Sequence, residues 1–262
     1  MNILDKIIEH KRVEVAQRRE AVPVATLERS PSYARPILSL KQFLTDPSRT
    51  GVIAEFKRKS PSKGVINDRV DVVTVTKGYA AAGASCLSVL TDSAFFGGSS
   101  DDLQRARVNE IPILRKDFII DEYQIAEARA IGADVILLIA ACLTPGEVQR
   151  LAEFARSLEL EVLLEIHNEE ELQHICDATE IVGVNNRDLK TFTVDIQRSI
   201  ELSKRIPKGK ILIAESGISK IETILHMKDA GFTGFLIGEN FMKEKDPGAA
   251  FGAFAAGLKA KV

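Results

Sequence analysis

Eight short apolar segments, which recur from residue 51 to the carboxyl end, constrain the fold of this chain more than any other feature. Each is four to seven residues long and mostly aliphatic or β-branched, which is typical of parallel strands buried on both faces. They begin at Val52, Ala84, Ile111, Asp134, Glu161, Ile181, Lys210 and Gly234. The pattern therefore predicts a parallel β-structure that is covered on both sides.

Segments with helical periodicity separate these strands. Helices are predicted at about 71–82, 101–108, 122–131, 145–158, 169–176, 194–205, 220–230 and 247–258. Gly83, Gly132 and Gly231 end three of them, and Thr144 followed by Pro145 is a strong helix start. This alternation predicts an α/β fold, the (β/α)₈ TIM barrel. A doubly wound open sheet is the alternative, but it usually has fewer strands, and no Gly-x-Gly-x-x-Gly follows the first strand here.

The first 48 residues lie outside this repeat. Residues 2–20 form a predicted amphipathic, basic helix, and a proline-rich connector follows it. Phe43 and Leu44 are candidate anchors of a short helix that caps the barrel. We therefore expect an N-terminal helical extension over residues 1–48 and a catalytic barrel over 49–262, together forming one structural domain.

Composition narrows the class of protein. The chain has 262 residues, of which 45% are hydrophobic, and 35 Lys and Arg balance 37 Asp and Glu. Such a balance gives no general electrostatic reason to bind nucleic acid or a membrane. Three cysteines and four histidines lack metal-ligand spacing, and no signal peptide or long apolar run is present. We expect a cytoplasmic protein without a metal site.

Residues 51–64 carry the densest group of charged residues beside an apolar run. Alternation places Glu55 and Lys57 on the same side of the first strand, with Phe56 on the other. Charges at the end of a buried strand are costly unless they face a solvated mouth with anionic partners. The segment therefore indicates a site for phosphate or carboxylate, and a solvated basic loop is the alternative.

Polar residues recur at the carboxyl end of nearly every predicted strand, where barrels of this kind carry their active sites. Lys116 and Glu165 could face each other across the mouth, with burial shifting both pKa values toward neutrality for acid–base catalysis. A structural salt bridge is the alternative for this pair. Asn185 and Arg187 alternate in the same way as Glu55 and Lys57, and Arg187 could bind an anion or pair with Asp188 or Asp117 on the rim.

Glycines follow the seventh and eighth strands, in Ser216-Gly217 and Gly238-Glu239. This is the usual position of a barrel phosphate site, because glycine lets backbone N–H groups approach the anion. Tight turns are the alternative at each loop. Phe95, in an aromatic, glycine-rich loop, could stack on an aromatic substrate or pack beneath a neighbouring loop.

Five motifs together resemble indole-3-glycerol phosphate synthase over the whole chain. They are Ile53-Ala54-Glu55-Phe56-Lys57-Arg58-Lys59-Ser60-Pro61-Ser62, Leu114-Arg115-Lys116-Asp117-Phe118, Leu164-Glu165-Ile166, Gly183-Val184-Asn185-Asn186-Arg187-Asp188-Leu189 and Ala214-Glu215-Ser216-Gly217-Ile218. The resemblance implies a (β/α)₈ barrel of tryptophan biosynthesis. Its reaction converts 1-(2-carboxyphenylamino)-1-deoxyribulose 5-phosphate to indole-3-glycerol phosphate, CO₂ and water, without a cofactor or metal.

The resemblance also implies catalytic roles. Lys116 would protonate the substrate ketone for ring closure, and Glu165 would act in the later dehydration. Lys57 would be its electrostatic partner and a possible second acid, and Glu55 would orient the lysines. Asn185 would bind sugar hydroxyls or the developing ring. The remaining residues of the site floor would be Glu215 and Ser216.

Binding roles follow in the same way. Ser60 and Arg187 are candidates for the anthranilate carboxylate. Gly217, Gly238 and the backbone N–H of Glu239 would bind the phosphate, with Lys57 nearby. Many relatives have a small hydroxyl residue at position 239, so we expect the Glu239 carboxylate to turn away from the anion.

Three other functions stay open from the sequence. A phosphoribosylanthranilate isomerase would need a Cys or Asp base on the first strand, where this chain has Glu55 and Lys57. An aldolase would use Lys116 as a Schiff-base nucleophile. A catalytically inactive phosphate-binding subunit would have no use for the acid–base residues. We expect a monomer that acts on a small phosphorylated substrate.

Overall fold

Eight parallel strands form a closed barrel in the computed structural model, which describes residues 3–188 and 193–261. The strands are β1 Val52–Phe56, β2 Cys86–Leu90, β3 Ile113–Lys116, β4 Val135–Ile139, β5 Glu161–Ile166, β6 Ile181–Asn185, β7 Ile211–Glu215 and β8 Gly234–Ile237. Each strand pairs with the next in sequence, and β8 closes the ring on β1 through Val52–Phe235 and Ala54–Ile237 register pairs. The predicted (β/α)₈ barrel is confirmed, and each strand begins within two residues of its predicted start.

Three helices precede β1, and the others follow the strands on the outside of the barrel. They are α1 Ile3–Ala21, α2 Val24–Leu27, α3 Leu40–Thr45, α4 Val72–Ala81, α5 Ser100–Ala106, α6 Glu122–Ile131, α7 Pro145–Ser157, α8 Ile196–Ser203, α9 Ile221–Asp229, α10 Glu239–Met242 and α11 Pro247–Lys259. Side-chain caps begin many of them, such as the reciprocal Thr144–Glu147 capping box of α7. Seven of the eight helices predicted between the strands are confirmed, with ends within two residues.

The predicted helix at 169–176 is wrong in type, because the chain forms a 3₁₀ segment over Glu169–His174. Its inward contacts are polar: the Glu171 carboxylate accepts from the backbone N–H of His167, and the His174 ring contacts the carbonyl of Leu143. These contacts favour a tight turn over an amphipathic α-helix. A short hairpin, Lys59–Ser60 paired with Gly64–Val65, also replaces a simple turn after β1.

Alternation along the strands divides the core into two layers. One side of each strand packs against the surrounding helices, and the other fills the barrel interior. The interior layer consists of Leu40, Leu44, Ile53, Cys86, Leu114, Val135, Leu137, Ile139, Leu163, Ile181, Ile213 and Leu236. Leu40 and Leu44 belong to α3, so the predicted capping helix seals the amino end of the barrel, whereas Phe43 is only half-buried.

Helix α1 covers the opposite end of the barrel. Its Lys11 side chain is 1% exposed, and Lys11 Nζ lies 2.9 Å from Asp92 Oδ2 and 3.0 Å from Asp117 Oδ1. Arg115 continues this network at 3.2 Å from Asp117 and 2.5 Å from Glu127. We call Lys11, Asp92, Arg115, Asp117 and Glu127 the Arg115 cluster. The boundary at residues 48 and 49 stays a prediction, and Asn2 lies outside the described residues.

None of the helices in the described ranges combines the length and the apolar character that a membrane crossing requires.

Candidate active site

Strands β1, β3, β5, β6 and β7 bring five predicted site residues to one level of the barrel mouth. Four of these residues stand two positions after an apolar residue of the interior layer, so alternation turns them toward the same axis. The five are Glu55, Lys116, Glu165, Asn185 and Glu215. The apolar layer beneath them closes the floor of the site.

Lys116 lies at the centre of this group. Its Nζ is 2.9 Å from Glu165 Oε2 and 3.0 Å from Glu215 Oε2, so the ammonium lies between two carboxylates. Asn185 Nδ2 donates to the other Glu165 oxygen at 2.9 Å. Lys57 Nζ reaches Glu55 Oε1 at 2.5 Å. We call Glu55, Lys57, Lys116, Glu165 and Glu215 the Lys116 cluster.

Two glycines make room for the carboxylates of this cluster. A Cβ added to Gly238 would lie 2.6 Å from Glu55 Oε1, and a Cβ at Gly183 would collide with Glu215 Oε1. Both glycines face the site from strands next to those of the glutamates, Gly183 in β6 and Gly238 just after β8. Any larger residue at these positions would displace a charged group of the site.

The pKa values do not follow the sequence-based expectation of a shift toward neutrality for Lys116 and Glu165. Burial opposes the charge on Lys116, but Glu165, Glu215 and Glu55 outweigh it and raise its pKa above the usual range. Burial likewise opposes the Glu165 charge, yet Lys116 and His167 hold that pKa well below its usual value. Burial, together with the Glu165 charge, raises the pKa of Glu215 to about 7 despite Lys116. Glu215 is therefore the group placed near neutrality.

A cavity of about 1380 Å³ opens above the Lys116 cluster. Among the predicted site residues, all but Phe95 line it: Glu55, Lys57, Ser60, Lys116, Glu165, Asn185, Arg187, Glu215, Ser216, Gly217, Gly238 and Glu239. Helix α1 adds Ile3, Leu4 and Ile7 to the wall. The cavity therefore combines a charged floor with an apolar side that is contributed by the N-terminal extension.

Phe95 packs away from the cavity lining, edge-on against the His10 ring at a centroid distance of 5.6 Å. Its neighbour Phe96 lines the cavity and lies 5.9 Å from the ring of Phe118, which lines it as well. Asp92 fixes the loop by accepting from the backbone N–H groups of both Phe95 and Phe96. A stacking role for Phe95 stays a prediction, and Phe96 is the aromatic ring that the structure brings to the site.

Arg187 and Ser60 lie in the same cavity. The two rim pairings considered for Arg187 are not formed, because Asp188 pairs with Arg198 at 3.2 Å and Asp117 belongs to the Arg115 cluster. In the described part of the chain, no carboxylate lies within ion-pair distance of the Arg187 guanidinium. Arg187 can therefore receive an external carboxylate or phosphate.

The loops after β7 and β8 line the same cavity as Lys57. Ser216 and Gly217 both have positive φ angles, of 69° and 71°. Gly238 precedes α10, and the Glu239 side chain is half-exposed with its Oε1 3.6 Å from Lys63 Nζ. The Glu239 carboxylate thus lies near Lys63, and its turning away from a bound anion stays a prediction.

Sequence reasoning missed two buried charged residues close to the site. His167 stands two positions after Glu165, so alternation turns it to the same side, and its Nε2 lies 3.1 Å from Glu165 Oε1. Lys11 sits on the helical extension, where one lysine among several basic residues gives no local signal of burial. Across residues 3–188 and 193–261, no group of three or more His, Cys, Asp or Glu side chains is arranged to hold a metal ion.

Fold and site together define a (β/α)₈ barrel with buried lysine and glutamate side chains on the floor of a cavity at the carboxyl ends of its strands, the architecture of a barrel enzyme. Residues 4–254 match the family model described as indole-3-glycerol phosphate synthase. The chain belongs to this family, so the predicted enzyme class, a carboxy-lyase of tryptophan biosynthesis, is confirmed. Residue 189 of the fourth motif lies outside the described ranges.

Individual relatives agree with this assignment. The chain is similar to an indole-3-glycerol phosphate synthase of Bacteroides thetaiotaomicron, with 46% identity over 98% of this chain and 99% of the relative. A protein of the same name from Salinibacter ruber is 44% identical over 98% of this chain and 96% of its own length. The crystal structure of KGPDC from Streptococcus mutans covers 80% of this chain and 97% of its own, with a TM-score of 0.59 at 14% identity. That last likeness concerns the fold alone.

Proposed function

We propose that this chain converts 1-(2-carboxyphenylamino)-1-deoxyribulose 5-phosphate to indole-3-glycerol phosphate, CO₂ and water by acid–base catalysis in the Lys116 cluster. The observation that carries the proposal is the Lys116 ammonium held at 2.9–3.0 Å from Glu165 and Glu215, on the floor of a cavity that Arg187 and Ser60 also line. Family membership supports the overall reaction. The residue roles are proposals from geometry.

Ring closure needs an acid at the ketone oxygen. Lys116 is charged at neutral pH because three carboxylates raise its pKa, so the acid is the resting form of the side chain. As an aromatic carbon attacks the carbonyl carbon, the Lys116 proton passes to the oxygen and a hydroxyl group forms. Glu215, with a pKa near 7, can return a proton to Lys116 across 3.0 Å.

Decarboxylation follows without an electron sink. The electrons of the breaking C–CO₂ bond restore the aromatic ring, so the protein has only to hold the carboxylate and then release it. Ser60 and Arg187 line the cavity where this group would lie. An arginine without a carboxylate partner among the described residues fits such a reversible contact.

Dehydration needs an acid at the leaving hydroxyl and a base at the ring. Lys57 would protonate the hydroxyl, which leaves as water, and Glu165 would take the proton that the ring loses. The low pKa of Glu165 supports this role, because the side chain is a carboxylate before the step. Glu55 orients Lys57 at 2.5 Å, and Asn185 fixes Glu165 at 2.9 Å.

The phosphate would bind at the loops after β7 and β8, through Gly217, Gly238 and the backbone N–H of Glu239, with Lys57 nearby. Ser216 completes the floor. We expect no metal or cofactor requirement, a monomer in solution and a cytoplasmic location, all of which stay predictions. The raised pKa of Lys116 argues against an aldolase, because a Schiff base requires a neutral amine.

The test is a fluorescence assay for indole-3-glycerol phosphate with purified protein and no added metal. Wild type is expected to turn over, and Lys116→Ala to lose roughly three orders of magnitude or more in kcat, the scale of a removed general acid. The exposed Lys208→Ala is the matched control and should retain wild-type turnover. Turnover near wild type in Lys116→Ala would exclude the acid role. An inactive wild type, or a covalent adduct trapped by borohydride with a ketose phosphate, would point to another function.

A further inference from the structure

A line of charged side chains leads away from the catalytic floor behind Glu165. His167 Nε2 lies 3.1 Å from Glu165 Oε1, and His167 Nδ1 lies 3.3 Å from Glu171 Oε2. The imidazole is 6% exposed, so little water competes for its two nitrogens. The ring is thus held between two carboxylates, one on the catalytic floor and one on the following 3₁₀ segment.

We propose that His167 is a positioning residue for the reaction, whose imidazolium, anchored by Glu171, holds the Glu165 carboxylate ionised and aimed at Lys116. This inference rests on the proposed function, in which Glu165 acts as the base of dehydration. The Glu165 contacts carry it: Oε1 accepts a hydrogen bond from Asn185 at 2.9 Å and lies at ion-pair distance, without hydrogen-bond alignment, from His167 Nε2, which leaves Oε2 for Lys116 at 2.9 Å. Rotation of the carboxylate would break all three contacts.

The anchor is itself fixed by several contacts. Glu171 Oε2 accepts from the backbone N–H of His167 at 2.6 Å, and Oε1 accepts from Asn168 Nδ2 at 3.0 Å. Asn168 also caps the 3₁₀ segment by accepting from the backbone N–H of Glu171. Because Glu171 cannot easily move, the position of the His167 ring follows from it.

Carboxylates on both sides require a doubly protonated ring. A neutral imidazole has one donor and one acceptor nitrogen, so it could satisfy only one of the two carboxylates. Burial opposes the charge, but Glu165 and Glu171 outweigh it and raise the pKa of His167 to about 10. The ring therefore carries a positive charge throughout the neutral range.

The other charged groups of this region do not compete with the ring. Beyond Glu165 lies Lys116, which is already paired. The charges of Glu165, Glu171 and Asp5 of α1 act on the Cys142 thiol. Burial and these carboxylates raise the pKa of the thiol, so it stays neutral and adds no anion. The imidazolium is the cation that balances Glu165 on the side away from Lys116.

The main experiment is the pH dependence of kcat/KM between about pH 3 and 9 for wild type and His167→Gln, because the wild-type acid limb should lie below the usual Glu165 value of 4.5. Glutamine keeps a donor of similar size but removes the charge, so the pKa of Glu165 should rise. The acid limb is expected to move up by about one pH unit, with about a tenfold loss at pH values well below both midpoints. Glu171→Gln should move the limb in the same direction by a smaller amount.

His174→Gln is the matched control. His174 is buried on the same 3₁₀ segment, but its ring nitrogens contact only the backbone oxygens of Glu171 and Leu143. It should lose stability without any shift of the acid limb. An unchanged limb in His167→Gln, or an equal shift in His174→Gln, would overturn the inference while leaving the proposed function intact.

A second readout does not depend on turnover. NMR of ring-labelled histidines, assigned by the signal lost in His167→Gln, follows the protonation of His167 directly. The ring is expected to stay protonated through pH 8 and to titrate lower in Glu171→Gln. A ring that titrates near the ordinary value of 6.5 would overturn the inference even if the proposed reaction were not observed.

Discussion

Arg115 and Lys116 are neighbours on β3, yet their side chains enter two different buried charge clusters. Alternation turns Lys116 into the barrel, toward Glu165 and Glu215, and turns Arg115 outward to Asp117 and Glu127 beneath α1. Both clusters use lysine or arginine with carboxylates at 2.5–3.2 Å. The two regions therefore differ in arrangement and not in chemical composition.

The Arg115 cluster is closed. Arg115, Asp92 and Lys11 are each at most 1% exposed. Despite burial, the pKa of Lys11 is raised by Asp117 and Asp92, and that of Asp117 is lowered by Arg115 and Lys11. The charges on Lys11 and Asp117 are thereby fixed at neutral pH. Such a cluster fastens α1 to the loops after β2 and β3.

The Lys116 cluster differs in that it opens to a cavity. As in the Arg115 cluster, three carboxylates face two cations, but here burial and the Glu165 charge outweigh the effect of Lys116 on Glu215. The pKa of Glu215 is consequently near 7. Proton transfer requires a group, here Glu215, whose pKa lies close to the working pH. A structural cluster instead keeps its groups in one protonation state.

A first prediction concerns the pH dependence of stability. A carboxyl group whose pKa is raised on folding stabilises the protein below its unfolded pKa, and this contribution is lost as the pH rises through the folded pKa. For Glu215 this contribution is lost between its ordinary pKa of 4.5 and its folded pKa of about 7. As the pH rises through this range, the free energy of unfolding of wild type, relative to Glu215→Gln, should fall by about 1–3 kcal/mol.

Asp117→Asn is the control from the other cluster. The pKa of the Asp117 carboxyl is lowered on folding, so its contribution to stability is present above the ordinary value of 3.8 and is lost only as the pH falls below that value. Relative to wild type, the unfolding free energy of Asp117→Asn should therefore stay constant between pH 5 and 8. Urea unfolding at several pH values gives both curves, and a flat curve for Glu215→Gln would contradict the difference between the clusters.

A second prediction tests the space that the Lys116 cluster needs. In Gly183→Ala the new methyl group meets Glu215 Oε1, and the carboxylate must move relative to Lys116. We expect a loss of about 1–2 kcal/mol in transition-state stabilisation, roughly a tenfold fall in kcat/KM. Gly146→Ala, at an exposed helical position with no atom within 4 Å of the added Cβ, should leave turnover unchanged. Equal turnover in both variants would mean that the Glu215 position is not critical.

Much of the fold could be predicted from local patterns. Apolar runs such as Val135–Ile139 fix the strands, and the Thr144–Glu147 capping box fixes a helix start. The spacing of Glu55 and Lys57 also predicted that they lie on the same side of β1, because the alternation of side chains along a strand is a local rule. The 3₁₀ segment was missed because its conformation depends on side chains that turn inward to His167 and Leu143.

The electrostatics of the site could be predicted only in part. Lys116 and Glu165 were expected to face each other, and they do at 2.9 Å. The expected shift of their pKa values toward neutrality was wrong, because it counted burial without the partner charges. Those charges come from strands far apart in sequence. The buried pairing of Lys11 could not be predicted for the same reason, because its partners Asp92 and Asp117 are far from it in sequence.

The most direct test of the account compares Lys11→Met with Lys116→Met for both unfolding free energy and turnover. Lys11→Met leaves buried carboxylates unpaired, so it should lose about 3–5 kcal/mol of stability, while its folded fraction turns over within a few-fold of wild type. Lys116→Met should lose most of its turnover with a smaller loss of stability, because Glu215 can take up a proton. The exposed Lys6→Met on α1 is the control for both quantities. Equal loss of turnover in the two variants, or stability of Lys11→Met equal to that of Lys6→Met, would contradict the division between a catalytic and a structural cluster.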